Sequence, residues 1–168
     1  MREQHNLHRL TVTGLLAALA LALSFLEGLL PPLPIPGARF GLANVAVMYA
    51  LTGVSLPCAA GITVAKTLFA LLRGGTACLM SAAGGGLALL VMALVWRLLR
   101  EHISPLGLGI LGAVAHNAGQ WGVAFLLFGP DMWYYAPVLL LLAVPAGCIT
   151  GLTLHVTTPY LNRLSRHL

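Results

Sequence analysis

The sequence predicts an all-α integral membrane protein of about six transmembrane helices in one bundle, with residues 1–168 as a single transmembrane domain. Three observations lead there. Hydrophobic residues make up 59% of the chain and charged residues 8%, against roughly half and about a quarter in a soluble domain, so most of the chain cannot face water. The apolar residues fall into runs close to the twenty or so that cross a bilayer core as a helix. Prolines and glycines mark the joints between those runs.

The first span covers residues 10–30. It follows MREQHNLHRL, contains Glu27 and lacks a small-residue cleavage site, which reads as an uncleaved helix rather than a signal peptide. The stretch PPLPIPG at 31–37 cannot continue a helix and must be a loop. The second and third spans, 40–56 and 57–73, are short and joined through TGVSLP. They form either a tight helical hairpin or a partly re-entrant pair, with Pro57 in the first turn of the third. The fourth span covers 78–99. The fifth covers 105–128, with Ser104 as its cap and Pro105 at its first helical position, and the sixth covers 135–158. No repeat and no second domain interrupts this series.

A net charge of +5 and a pI near 9.6 could suggest nucleic acid as a partner. The basic residues, however, sit at the ends of apolar runs rather than in a stripe, the pattern that orients helices in a membrane. With the amino terminus inside, Arg2, Arg9, Arg97, Arg100, Arg163 and Arg166 are cytoplasmic, and Arg39 and Arg73 lie outside with Asp131. The bias predicts a multi-pass cell-membrane protein with both termini in the cytoplasm. Cys58, Cys78 and Cys148 lie in or beside apolar segments without a CxxC or a His/Cys cluster, and read as small buried hydrophobes. Neither a metal nor a disulfide is expected.

On this topology the polar residues share a depth. Glu27, Asn44, Lys66 and Ser81 fall in the outward half of their spans with Arg39 and Arg73, and His116, Asn117 and Gln120 fall at mid-depth and just outward in the fifth. Groups of this kind are expensive in a membrane unless partnered, face the bundle interior and often mark a substrate path. One shared pocket open to the outside is therefore expected. His116 and Gln120 share a helix face, with Asn117 flanking them and Gly112, Ala115 and Gly119 offering small surfaces to a neighbour. These groups are either interhelical hydrogen bonds or ligand contacts. Lys66 either pairs with Glu27, the one intramembrane carboxylate, or meets a bound anion. The run SAAGGG at 81–86, with Gly84 and Gly85, is either a close helix-packing surface or a locally opened helix whose N–H groups face the pocket. Gly14, Ala18 and Ala22 recur every four residues and form a stripe that another helix can approach closely, from this bundle or from a separate subunit.

In the same order along the chain, RFGLANVAVMYAL, VAKTLFALLRGG, SAAGGGLALLVM and GAVAHNAGQ resemble the motifs of the membrane family known both as heptaprenyl diphosphate synthase component I and as the Gx transporter family. The resemblance covers about residues 10–158. That family looks like the substrate-binding S components of energy-coupling-factor (ECF) transporters, six-helix proteins with an outward pocket and an alanine stripe on the first helix. The resemblance implies that Ala18 and Ala22 match the AxxxA element that meets a transmembrane coupling subunit. The usual lysine before GLAN is here Arg39, separated from Gly41 by Phe40.

The two family labels imply different chemistry. Prenyl diphosphate synthases of the usual kind hold magnesium with aspartate-rich DDxxD sequences, whereas this chain has a single aspartate, Asp131. It also lacks the GxxxxGK[ST] of a nucleotide P-loop. No enzymatic activity and no cofactor of its own is expected. The leading expectation is a substrate-binding subunit, energised by coupling and ATPase partners, for a small anionic compound of vitamin-like or isoprenoid-like character. Arg39, Asn44, Lys66, Ser81, Gly84, Gly85, His116, Asn117 and Gln120 are its candidate contacts. The alternative is a noncatalytic membrane accessory of a separate heptaprenyl diphosphate synthase. A third class, a membrane partner in flavin or quinone electron transfer, rests only on the amphipathic pocket.

Overall fold

A computed structural model of the chain describes residues 2–29 and 41–167. Its helices are α1 (Arg2–Leu29), α2 (Asn44–Tyr49), α3 (Leu56–Ala70), α4 (Gly75–Leu99), α5 (Pro105–Phe128) and α6 (Ala136–His167). Short 3-10 turns follow α3 and α4 and precede α6. Among the described residues there is no strand. Five of the helical segments are long and apolar enough to cross a membrane.

The predicted starts of α3 and α5 rest on visible chemistry. Ser55 Oγ accepts from Cys58 N at 3.4 Å with Pro57 in the first turn, and Ser104 Oγ accepts from Gly107 N at 3.0 Å with Pro105 at the start of α5. Each serine satisfies a donor that the first helical turn leaves without a partner.

The second predicted span is corrected. α2 continues only as a π-helical turn, Ala50–Val54, so the whole segment runs 11 residues, about 16 Å at the α-helical rise, roughly half a bilayer core. Its length is not set by the bilayer because protein surrounds it: Val45, Ala46, Val47, Met48, Tyr49 and Ala50 are all 5% exposed or less. A helix that is apolar on every face belongs inside a bundle.

The packing is that of a membrane bundle, with leucine outside and small residues inside. Ala20, Ala59, Ala88, Ala115 and Ala143 are buried, while Leu72, Leu90, Leu98, Leu126 and Leu141 are exposed. Lipid is as apolar as leucine, so helices associate where small side chains allow close approach. α1 shows the division within one helix. Val12, Leu16, Ala20 and Ser24 form its buried stripe, and Gly14, Ala18 and Ala22, two residues out of phase and hence about 200° round the helix, are exposed.

α5 is the axis of the second half. A Cβ at Gly119 would fall 2.6 Å from the carbonyl oxygen of Ala83 on α4, and one at Gly112 would meet Met92 Sδ at 2.6 Å. On its other side α5 packs on α6 through Gly109, Gly147 and Gly151. Sequence reading missed this second seam, although the GCITG spacing at 147–151 was its signal.

Candidate functional site

The ends of α1 and α3 meet at the start of α2. Gly41 has φ +72°, a left-handed conformation that only glycine enters without strain, and from it the chain turns so that Asn44 N donates to Gly41 O at 2.8 Å. The turn leaves Leu42 N pointing at α1, where Glu27 Oε1 accepts from it. Ala43, at the helix N-cap, has no side chain to cap with. The carboxylate of a different helix instead holds the residue just before that cap.

One residue past Ala43, Asn44 Oδ1 accepts from Lys66 Nζ on α3. Glu27 and Lys66 are therefore both tied to the Leu42–Asn44 segment, the first through a backbone donor and the second through an amide oxygen. Lys66 and Asn44 are half-buried, and Arg73 is exposed beside the end of α1, its Nη1 3.9 Å from where a Cβ of Gly28 would stand.

A second polar group lies between α4 and α5. Gly84 packs against the same face of α5 that carries His116 and Gln120; a Cβ there would fall 2.8 Å from His116 O and 2.9 Å from Gln120 Cγ. The adjacent Gly85 turns toward α3, where a Cβ would meet Thr63 Cγ2 at 3.0 Å. α4 runs unbroken through residues 81–86. The opened-helix reading of SAAGGG is corrected: its glycines are contact surfaces toward two neighbours, and the ladder stays closed because a broken one would strand N–H groups away from water.

Asn117, one residue and about 100° from His116, points elsewhere. Its Nδ2 donates to Leu139 O on α6 at 2.8 Å, a buried interhelical bond. Gln120 is 5% exposed, and its Oε1 is buried with no hydrogen-bond partner among the described residues. One residue on, Trp121 Nε1 donates to Met132 O at 2.8 Å and its ring lies 5.3 Å from that of Trp133, closing the end of α5 with an aromatic cluster. The sequence reading did not single out this cluster.

Helix register relates the two groups. α3 and α4 are joined by a four-residue turn and touch at Thr63 and Gly85, so Lys66 is level with Ser81 and Ala82. Gln120 is level with Gly84. Lys66 is therefore two to three residues, about 3–4.5 Å along the bundle, toward the end that holds Glu27 and Arg73. Ser81, half-buried, lies one turn from Gly84 and Gly85 on the same side of α4. Arg39 lies outside the described residues.

The fold and these polar groups define a multi-pass helical membrane protein with ionisable and amide side chains inside its bundle. The family model of heptaprenyl diphosphate synthase component I matches residues 16–157, and the chain belongs to that family. Comparison with curated proteins and with solved structures gave no match.

Proposed function

We propose that the chain is a membrane-embedded ligand-binding subunit, similar to the S components of ECF uptake transporters, for a small anionic and partly apolar compound. The observation that carries this reading is Lys66: an ammonium within a membrane bundle, hydrogen-bonded to Asn44 and less than one turn from the level of Gln120. Ionisable groups inside a membrane bundle often mark a ligand path. Ser81 and His116 flank the same region, and the leucine, alanine and methionine surroundings suit an apolar remainder. Arg39, two residues before Gly41 in the sequence, adds a further cation in this reading.

The exposed Gly14, Ala18 and Ala22 face supports a subunit partner, because it is turned away from the bundle's own packing. Ala18→Trp or Ala22→Trp is expected to abolish uptake and co-purification of a coupling subunit with its ATPases while the isolated protein binds ligand as before. Equal loss of folding and binding would refute the docking role.

A second reading is favoured by the family match itself: a noncatalytic membrane accessory of a heptaprenyl diphosphate synthase. An isoprenoid diphosphate would also present an anion and an apolar body. Affinity purification separates the readings, since recovery of a soluble prenyl synthase supports the second and recovery of an ATPase-containing complex the first.

Both termini are placed in the cytoplasm in this proposal. In a variant without native cysteines, Gln4→Cys and Ser165→Cys are expected to resist an impermeant thiol reagent on intact cells, and Pro36→Cys to react. Labelling at either terminus from outside would invert the depth of every polar group named above.

A further inference from the structure

Gln120 stands apart from Asn117, Thr63 and Thr150, three other buried polar side chains of the bundle. Asn117 spends its amide on the Leu139 carbonyl, and Thr63 and Thr150 return their hydroxyls to carbonyls of their own helices. Gln120 is as deeply buried, at 5% exposed, and its Oε1 accepts nothing from the described residues. Its neighbours on α4 explain this. They are Ala83 and Gly84, which carry no side-chain donor, and whose N–H groups belong to an unbroken helix. An acceptor left in that state costs free energy, and a bundle that excludes water has little else to offer it.

The position of this oxygen ties it to Lys66. Gly84 and Gly85 make one small-residue floor on α4, with Gln120 rising on the α5 side and Thr63, one turn from Lys66, on the α3 side. The backbone of Lys66 thus lies two to three residues, about 3–4.5 Å, nearer the outer end than that of Gln120, across that same floor. A molecule anchored by its anion at Lys66 and extending inward would pass Gln120 with its apolar part.

We infer that the ligand carries an N–H or O–H donor on its otherwise apolar body, inward of its anionic group, and that Gln120 Oε1 receives it. The inference rests on the ligand-binding reading above and narrows it: a plain prenyl or acyl chain ending in phosphate satisfies Lys66 and leaves Gln120 as it stands, whereas a hydroxylated, amide-bearing or ring N–H compound satisfies both. A site built around a hydrogen-bond acceptor discriminates strongly against analogues that lack the donor, because the protein oxygen is then left unpaired.

The test compares decyl phosphate with 5-hydroxydecyl phosphate on the full chain in lipid nanodiscs, by calorimetric titration. The hydroxylated probe is expected to bind about tenfold more tightly, and the ratio of the two affinities is expected to fall to about one in Gln120→Leu. A second arm leaves Gln120 in place. The chain has two glutamines, Gln4 and Gln120, so a Gln4→Glu protein labelled with 13C at the glutamine Cδ gives one side-chain carbonyl resonance. Saturating 5-hydroxydecyl phosphate is expected to shift it and decyl phosphate to leave it in place. Equal affinity for both probes, with both lost in Lys66→Met, overturns the donor requirement while the anion site stands. A preference that survives in Gln120→Leu overturns the role of Gln120. Failure of both probes to bind overturns the ligand-binding reading along with it.

Discussion

Gly147→Leu is expected to leave no folded monomer, and Gly147→Ala to lower stability by about 3 kcal/mol or more, because every atom a new side chain would meet there is backbone. A Cβ at Gly147 would fall 2.5 Å from Ile110 Cα and 2.8 Å from Gly109 O. From the other side, a Cβ at Gly109 would fall 2.5 Å from Gly147 O, and one at Gly151 would fall 2.7 Å from both Leu106 Cα and Pro105 O. Side chains can rotate away from an intruder. Two helix backbones in contact cannot, so α5 and α6 would have to separate along the whole seam, taking with them the bond from Asn117 to Leu139. Gly122→Leu is the control: it lies on α5 with nothing within 4 Å of its added Cβ. Thermal unfolding followed by size-exclusion chromatography reads both. A Gly147→Leu protein that melts within a few degrees of Gly122→Leu would show that the seam is not the determinant of α5–α6 packing.

The seam also shows where sequence reading stops. Apolar run length and serine–proline caps are local properties, and they located α3 and α5 to within a residue at their starts; the proline stretch at 31–37 lies outside the described residues. The partner of a glycine is not local. Gly109, Gly112 and Gly119 lie on one helix, yet Gly109 meets α6 while Gly112 and Gly119 meet α4. The α2 segment failed for a related reason. Length predicts a span only when lipid surrounds the helix, and the burial of Val45 through Ala50 frees this one from that constraint. Of the two readings of SAAGGG, close packing and an opened backbone, packing holds at Gly84 and Gly85, because the bilayer makes the helical ladder obligatory and turns the missing side chains into contact surfaces.

The polar residues were legible by type, and partly by depth, because a membrane makes each of them an exception. Their partners were not. The bonds from Leu42 N to Glu27 and from Lys66 to Asn44 Oδ1 depend on a left-handed Gly41 that aims a backbone N–H at α1, which charge does not announce. His116, Asn117 and Gln120 read as one group in the sequence. The 100° step between neighbours sends Asn117 to α6 and leaves Gln120 against α4.

Lys66→Met is expected to weaken binding of an anionic probe such as decyl phosphate by about a hundredfold or more, since it removes the one lysine of the membrane interior together with a charge-assisted bond. Lys66→Arg is expected to recover part of that loss. The planar guanidinium keeps the charge but cannot reproduce a compact ammonium held by a single amide oxygen. Glu27 provides the complementary test, because its role in the structure is to hold the turn that presents Asn44. Glu27→Gln keeps an acceptor for Leu42 N and is expected to leave the melting temperature near wild type. Glu27→Leu strands that donor in the bundle and is expected to cost about 1–3 kcal/mol, with weaker binding following from a displaced Asn44. Affinity and melting temperature measured on the same four variants separate binding from support: Lys66→Met moves affinity most, and Glu27→Leu moves stability first. If Lys66→Met instead lowers the melting temperature sharply while anion affinity holds, the lysine is an internal strut between α2 and α3, and the site has to be sought elsewhere in the bundle.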